Sequence, residues 1–382
     1  MKKLLLLSIL LTLFSCTHTG PFSKKYQVMP APAKSAGEVS FMTYNAENLF
    51  DTQHDPGKED YTYMPQAAKD TQEVENFCMK EDSSFRRRDC FETNWDEAAL
   101  AKKLDNIKRS ILQVDNGKGP DILVLVEVEN DKVLTKLNKD FLKDSGYQTQ
   151  VLIEGNDPRG IDPALLSKFP MEGKPVLHQI PFQSQDPNEQ GKEQILRGIL
   201  EVTLRLPDKS KLTVFANHFP SQGNPRHWRA QYVNYLAKLI SEKSKINPVI
   251  AAGDLNITAE EEKEVGFFSK NLSDVALVSH LIGCKECEGT HYYRGGWSFL
   301  DAIMFSKDLG PNGNAGWRVI PESIAVPRSV AMLLNDDGTP KRWDYEAREG
   351  ASDHLPLYVR LAPRSKVALD KSPAKPAKTR KK

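Results

Sequence analysis

Pro248-Val-Ile-Ala-Ala-Gly-Asp-Leu-Asn256 is an apolar, β-branched run that stops at a glycine and then presents two polar side chains at alternate positions. In extended backbone, residues i and i+2 leave on the same side. Asp254 and Asn256 are therefore expected side by side at the end of a buried strand. A plain strand-to-turn exit uses the same residue types, so this stretch gains meaning only from repetition. Several other apolar runs of the chain also end in, or begin with, a carboxylate, an asparagine or a histidine.

Immediately upstream, Leu212-Thr-Val-Phe-Ala-Asn-His218 reads as a strand ending in a histidine, paired with residues 195–206 across Pro207-Asp-Lys-Ser210. Residues 226–243 have helical spacing, with Trp228, Tyr232, Tyr235, Leu236 and Leu239 on one face, read as core. Farther upstream, Val39-Ser-Phe-Met-Thr-Tyr-Asn45 is a strand with Asn45 and Glu47 two apart at its end. Pro120-Asp-Ile-Leu-Val-Leu-Val-Glu127 is a continuous apolar strand of the kind buried on both faces. A glutamate abutting such a run is costly unless it sits at the exposed end or binds a cation. The spacing predicts helices over 95–114, from Leu100, Leu104, Ile107, Ile111 and Leu112, and over 131–146. Residues 147–154 read as a strand, and the turn after it carries Arg159, which either caps the turn or clamps a phosphate.

Downstream, Thr258 and the Glu260-Glu-Glu262 run open a short helix. Residues 284–297 are glycine-rich and aromatic; their Tyr293 and Arg294 suit stacking on bases and phosphate contact as well as ordinary loop packing. Ser298-Phe-Leu-Asp301-Ala-Ile-Met-Phe305 is a strand with an acid near its start, and Asp353-His354 stands just before the closing strand.

The chain has 382 residues and a net charge of +1. That allows one large domain or two smaller ones and argues neither for nor against a polyanionic partner. Lys2 and Lys3 precede an apolar run over residues 4–14, too short to span a bilayer as a mature helix and of the form of an export signal. Leu13-Phe14-Ser15-Cys16 resembles the bacterial lipobox, in which residues 1–15 are a signal peptide and Cys16 becomes a lipidated N-terminus. Thr17 favours the outer membrane, by resemblance to the sorting pattern of such lipoproteins. Residues 16–37 read as a tether, 38–362 as the folded domain with a polar insertion at about 52–94, and 363–382 as a basic, disordered tail. Arg86-Arg-Arg88 in the insertion reads as a solvated face before a phosphate patch. Export makes two disulfides the expectation for the other cysteines. Cys78 with Cys90 and Cys284 with Cys287 is the simplest pairing. A zinc site is the rival, with only Cys284-x-x-Cys287 at suitable spacing.

No P-loop, Gly-x-Ser-x-Gly elbow or dinucleotide fingerprint is present. The remaining polar set is Asn45, Glu47, Glu127, His218, Asp254, Asn256, Asp301, Asp353 and His354. Hard oxygen ligands with little histidine suit Mg²⁺, Mn²⁺ or Ca²⁺ better than zinc. Two histidines among carboxylates suit proton transfer and stabilisation of phosphoryl oxygens. The inventory fits metal-assisted attack of water on a phosphate ester.

Tyr44-Asn-Ala-Glu-Asn-Leu-Phe50, Asp121-Ile-Leu-Val-Leu-Val-Glu-Val-Glu129, Asn217-His218, Gly253-Asp-Leu-Asn256, Phe299-Leu-Asp301 and Ser352-Asp-His-Leu-Pro356 resemble, in order, the motifs of the endonuclease/exonuclease/phosphatase superfamily. The resemblance covers residues 39–361 and is greatest to the bacterial secreted-nuclease branch. It implies a DNase I-like α/β fold: a four-layered sandwich of two mixed β-sheets packed face to face, with helices outside and the site at the strand ends between them. It further implies that Glu127 is the main metal ligand, with Asn45, Glu47 and Asp353 near the metal or phosphate. Asp254, helped by Asn256, would orient or deprotonate the water. His354, its tautomer fixed by Asp301, would meet the scissile phosphate, and His218 would stabilise phosphoryl oxygens or serve the leaving group. Arg159, Tyr293 and Arg294 would touch substrate. The expectation is a monomeric, exported, lipid-anchored nuclease using Mg²⁺, or else Mn²⁺ or Ca²⁺, on DNA, with RNA left open. A phosphatase or phospholipase C-type hydrolase of phosphoinositide or sphingomyelin headgroups, and an inactive binding module, are the alternatives.

Overall fold

In the computed structural model, which describes residues 30–364, the apolar runs pair into two sheets. The strands are β1 (Val39–Leu49), β2 (Ile122–Val128), β3 (Thr149–Leu152), β4 (Asp162–Ser167), β5 (Val176–His178), β6 (Ile199–Arg205) and β7 (Lys211–His218). They continue with β8 (Val249–Asp254), β9 (Ala276–Val278), β10 (His291–Tyr293), β11 (Gly296–Ser298), β12 (Asp301–Ser306), β13 (Trp317–Ala325) and β14 (Leu357–Pro363). One six-stranded sheet has the order β13-β14-β1-β2-β4-β3, the other β5-β6-β7-β8-β12-β9, and β10 with β11 forms a separate hairpin. Both sheets are mixed in the same way: a central parallel pair, β1 with β2 or β7 with β8, is flanked on either side by antiparallel strands.

A parallel pair needs a crossover, and each crossover here carries the long helix that covers its own sheet. The helices, in chain order, are α1 (Gln72–Cys78), α2 (Ser84–Glu92), α3 (Glu97–Leu112), α4 (Asp131–Lys136) and α5 (Arg226–Lys243), followed by the short α6 (Ala259–Val265), α7 (Ser273–Val275) and α8 (Ser279–Ile282). Side chains alternate along the central strands. Phe41, Ile122, Val124, Val214, Ile250 and Ile303 meet in the core between the sheets. Their neighbours Met42, Leu123 and Leu125 pack outward with Leu100, Leu104, Ile107 and Ile111 of α3. Phe215, Val249 and Ala251 pack outward with Trp228, Tyr232 and Leu236 of α5. Two internal faces per sheet require strands that are apolar throughout, and the four-layered α/β sandwich follows.

The insertion at 52–94 is not the unpatterned connection expected from its sequence. It holds α1 and α2, capped by Thr71 and Ser83, whose side chains accept from the N–H groups of Val74 and Arg86. Cys78 is bonded to Cys90, and Cys284 to Cys287, so the local pairing replaces the zinc alternative. Tyr61, Val74 and the first disulfide make a small core of their own. Helices of two turns carry too few apolar positions to show a period. Arg86 and Arg88 are exposed, and Arg88 lies over the Phe85 ring at 5.1 Å. Several boundaries shift: the strand expected over 147–154 is confined to Thr149–Leu152, and the one expected from Ser298 begins at Asp301. The helix from Asp131 gives way after Lys136 to a wider turn over Leu137–Phe141, and the strand expected from residue 195 begins at Ile199, after a 3₁₀ turn over Lys192–Ile195.

The expected signal peptide, Cys16 and nearly all of the expected tail lie outside the described residues. The end of the expected tether, by contrast, is docked. The Asp115 N–H donates to the Pro32 carbonyl at 3.0 Å, and Lys34 pairs with Asp121.

One buried acid sets a pH-dependent cost on this fold. Asp162, fully buried at the start of β4, accepts the Gly155 N–H at 2.9 Å through Oδ2, while its Oδ1 has no partner among the described residues. Burial pushes its pKa up to about 7. The unfolded carboxyl ionises near pH ~4. Between ~4 and ~7 unfolding therefore releases a proton, stability falls as pH rises, and above ~7 the full cost persists. Asp162→Asn should raise the melting temperature at about pH 8 by a few degrees and flatten its decline across that window. Thermal melts of both proteins over the window check this.

Candidate active site

The C-terminal ends of β1, β2, β7 and β8 meet. Within the second sheet the ends are in register: His218 lies opposite Asp254, and Asp254 lies opposite Asp301, the first residue of β12. β7 and β8 approach closely because position 253 is glycine. A Cβ there would lie 1.9 Å from the Asn217 carbonyl oxygen, and φ is +141°.

In the last residues of β1 and β2, and just past β8, the backbone departs from extended geometry. Glu47, Asn48, Glu127 and Asn256 all have positive φ, between 47° and 60°. Four such non-glycine residues at one site are a local strain that the surrounding contacts hold in place. The turns redirect side chains. Asp254 Oδ1 accepts the Asn256 N–H at 2.7 Å, and Asn256 Nδ2 donates to the Phe219 carbonyl at 3.1 Å. Asn256 therefore does not stand beside Asp254 as a strand neighbour would; it braces the turn. Likewise Asn45 and Glu47 diverge. Asn45 Nδ2 reaches Asp254 Oδ2 at 3.1 Å, across the two sheets, and Glu127 Oε1 of the adjacent strand at 3.3 Å. Glu47 instead pairs with Arg342 and accepts the Trp343 N–H at 3.0 Å.

Glu127 accepts the Asn48 N–H at 2.9 Å, and its Oε1 stands 3.5 Å from His218 Nε2. Asp254 Oδ2 lies 3.8 Å from Nε2 of both His218 and His354. His354 Nδ1 is 2.7 Å from Oδ2 of the fully buried Asp301. Asp353 is the most open carboxylate of the group, its side chain 30 % exposed, with Arg342 at 3.6 Å.

The electrostatics separate the two histidines. Burial drives the His218 pKa well down, aided by the cations Arg197 and Arg159, so this imidazole is neutral; its Nδ1 has no partner among the described residues. Burial acts the same way on His354, but Asp301, Asp254 and Asp353 outweigh it and hold His354 well above the usual range, as the imidazolium. Burial lifts Asp254 to about 7, with the negative charge of Asp301 adding to the effect and the His354 charge opposing it. Burial, then Asp353, lifts Glu47 to about 7. A proton donor, a neutral acceptor and a carboxylate poised near neutrality thus share one dry corner.

Of the substrate residues expected from sequence, Arg159 lies beside the Glu127 turn, its Nη1 3.3 Å from Asn48 Oδ1 and its Nε 3.8 Å from Asp157. Tyr293 and Arg294 are not in the cluster. They stand at the tip of the β10–β11 hairpin, with Tyr293 63 % exposed and Arg294 over its ring at 5.1 Å. Three neighbours escaped the sequence reading. Arg342 joins Glu47 to Asp353; buried Lys103 of α3 donates to the Ala351 carbonyl; and His291 of β10 packs against His354, ring centres 4.8 Å apart and tilted by 46°. Burial lowers Lys103 to about 8, while the negative charges of Glu47 and Asp353 pull the other way. Their only sequence signals were a lysine inside an apolar helix face and a histidine in an aromatic loop.

The donor chemistry fits a hard divalent cation. Glu127 keeps an oxygen with only long contacts, 3.3 and 3.5 Å, and Glu47, Glu127 and Asp353 gather negative charge in one place. Among the described residues Arg342 is the cation bridging Glu47 and Asp353.

The chain matches the Endonuclease/Exonuclease/phosphatase family over residues 71–363. No curated protein matches it at a significant level. Similar solved structures include an endonuclease/exonuclease/phosphatase from Beutenbergia cavernae, 16% identical, covering 85% of this chain and 72% of that one, with a TM-score of 0.49. TDP2 from C. elegans is 16% identical, covering 85% and 75%, with a TM-score of 0.48. D. rerio TDP2 complexed with single strand DNA product is 14% identical, covering 85% and 98%, with a TM-score of 0.47. The family match spans most of the sandwich and the site residues from Glu127 to His354, with Asn45 and Glu47 of β1 preceding it; this chain belongs to the endonuclease/exonuclease/phosphatase family, whose members are generally phosphoester hydrolases that use a divalent metal.

Proposed function

We propose that this protein is a divalent-metal-dependent phosphodiesterase that hydrolyses nucleic acid, DNA foremost, by attack of water on phosphorus. The observation that carries the reading is the convergence of Asp254 on Asn45, His218 and His354. Ionised Asp254 takes a proton from, or orients, the attacking water. Charged His354, steered by Asp301, contacts the scissile phosphate, and neutral His218 meets a phosphoryl oxygen or the leaving group. Glu127, with Asn45, Asp353 and Glu47, would hold Mg²⁺ (or Mn²⁺ or Ca²⁺), whose chemistry there is Lewis-acid stabilisation of phosphoryl charge. Glu47 contributes in one of two ways: by exchanging Arg342 for the ion, or by steering Arg342 beside it.

A polynucleotide is favoured because the site edge carries a protruding aromatic–guanidinium stack, Tyr293 with Arg294, suited to a base and its phosphate. The proposed placement rests on the resemblance of residues 13–16 to a lipobox and of the chain to the bacterial secreted-nuclease branch: an exported protein, acting as a monomer, anchored through Cys16 to the outer membrane.

The test is hydrolysis by the protein beginning at residue 30, which keeps the docked Pro32 and Lys34. Plasmid, single-stranded DNA, RNA and a phospholipid-headgroup diester are each offered with Mg²⁺, Mn²⁺, Ca²⁺ or EDTA. The expected result is nicking of DNA with metal and none in EDTA. Cleavage of the headgroup alone would reassign the substrate, and no turnover on any of them by folded protein would defeat the reading.

A further inference from the structure

Next to the oxygen-rich group lies a set of donors of a different kind. One ring nitrogen each of His291 and His354 and a carboxylate oxygen of Asp353 all lie within 4.8 Å of one another. The grouping is built by the fold. β10 brings His291 against the closing segment, where His291 and His354 form an isolated antiparallel bridge, and Asp353 is the adjacent residue. The other nitrogen of His354 is already held by Asp301 at 2.7 Å, and the Asp301 backbone N–H donates to the Thr290 hydroxyl at 3.1 Å. A carboxylate behind a histidine is the support that metal-bound imidazoles ordinarily have, since it fixes the ring and raises its basicity. No hydrogen bond engages the His291 ring among the described residues; its contacts are the His354 and Tyr293 rings.

We infer that His291, Asp353 and His354 form a second cation site, selective for a zinc-class divalent ion, whose occupancy displaces the Nε2 proton of His354 to solvent and takes that imidazole away from the reaction. Two imidazoles and one carboxylate favour Zn²⁺ or Co²⁺ over Mg²⁺ and Ca²⁺, which prefer oxygen alone. Nitrogen and oxygen ligands about 2.0–2.1 Å from one zinc ion lie roughly 3.3 Å apart. From separations of at most 4.8 Å the set would close by a movement of the hairpin. Asp353 belongs to both groups, so the two ions compete at one ligand while His291 belongs to the nitrogen-rich site alone. Binding does not depend on the proposed function; inhibition does, because it works through the role of His354.

The experiment uses the full-length protein in detergent, stripped of metal and supplied with excess Mg²⁺. Titration with Co²⁺ is followed by visible ligand-field absorption, and Zn²⁺ is then added. The expected result is a saturable band at one equivalent, displaced by Zn²⁺. His291→Phe keeps the ring stacking without the nitrogens and should weaken the band about tenfold or more, whereas Glu127→Gln should keep it. His291→Leu repeats the test, and thermal melts of all three variants separate loss of ligand from loss of fold. No band in the wild type, an undiminished band in both His291 variants, or a band lost in Glu127→Gln alone would overturn the site. If turnover is found, Zn²⁺ should inhibit it in the presence of excess Mg²⁺, less so in His291→Phe. Equal inhibition of both proteins would overturn the inhibitory role and leave the binding result standing.

Discussion

His354→Ala is expected to lower metal-dependent hydrolysis by about three orders of magnitude or more, mostly in kcat. The side chain is 6 % exposed as a residue, charged, and aimed between Asp254 and the open Asp353. Its loss removes a cation from the place where phosphoryl charge builds and leaves Asp301 buried with nothing to face. Asp301→Asn separates the two effects. It keeps the volume and a partner for Nδ1, but lowers the His354 pKa by removing the negative charge that raises it most. Its rate should fall less than that of His354→Ala, and its activity should be lost on raising the pH at a lower pH than in the wild type, as the imidazolium gives up its proton earlier. Combining the two substitutions should cost little more than His354→Ala alone, because both act through one imidazole. Full additivity would show that Asp301 serves something other than His354. Steady-state rates of the wild type and the three variants, taken from about pH 5 to about 9, decide this.

Asp254→Asn is the second large effect, with a loss of about a thousandfold. The wild-type rate should rise with pH through about 7, as Asp254 gives up the proton that burial stabilises. The residual rate of the variant should lack that rise, since an amide has no proton to lose in the range. Stability should move the opposite way. The folded carboxyl holds its proton to about 7 and the unfolded one only to about 4, so ionised Asp254 costs stability above neutrality. Asparagine retains an oxygen for the Asn256 N–H and removes that cost. An inactive protein that melts no lower than the wild type at about pH 8 is the expected outcome. A large drop in melting temperature would mean that Asp254 is held for structure, and the loss of rate would then say nothing about catalysis.

The sheets were legible because their signal is local. A strand buried on two faces must be apolar at every position, and residues 122–126 and 248–252 are so. The same locality explains the misses. Over Lys192–Ile195 the apolar Ile195 was joined to the following strand, though Gly191 turns the chain there with a φ of 82°. In the insertion, a disulfide and a handful of apolar residues supply the order that two-turn helices cannot advertise.

Sequence alone determined the supply of groups: which runs become strands, and which polar residues stand at their ends. Tertiary structure decided which of those groups meet. Asn45 contacts Asp254 across 209 residues of chain, and Glu47 is claimed by Arg342 across 295. An i, i+2 rule could not foresee that Asn45 and Glu47 part company, because the left-handed residues Glu47 and Asn48 near the end of β1 abolish the alternation on which the rule rests. The opposite charge states of His218 and His354 were likewise beyond any reading of strand ends. A pKa is set by burial and by every charge within a few ångströms, and those neighbours come from both sheets and from the loops between them.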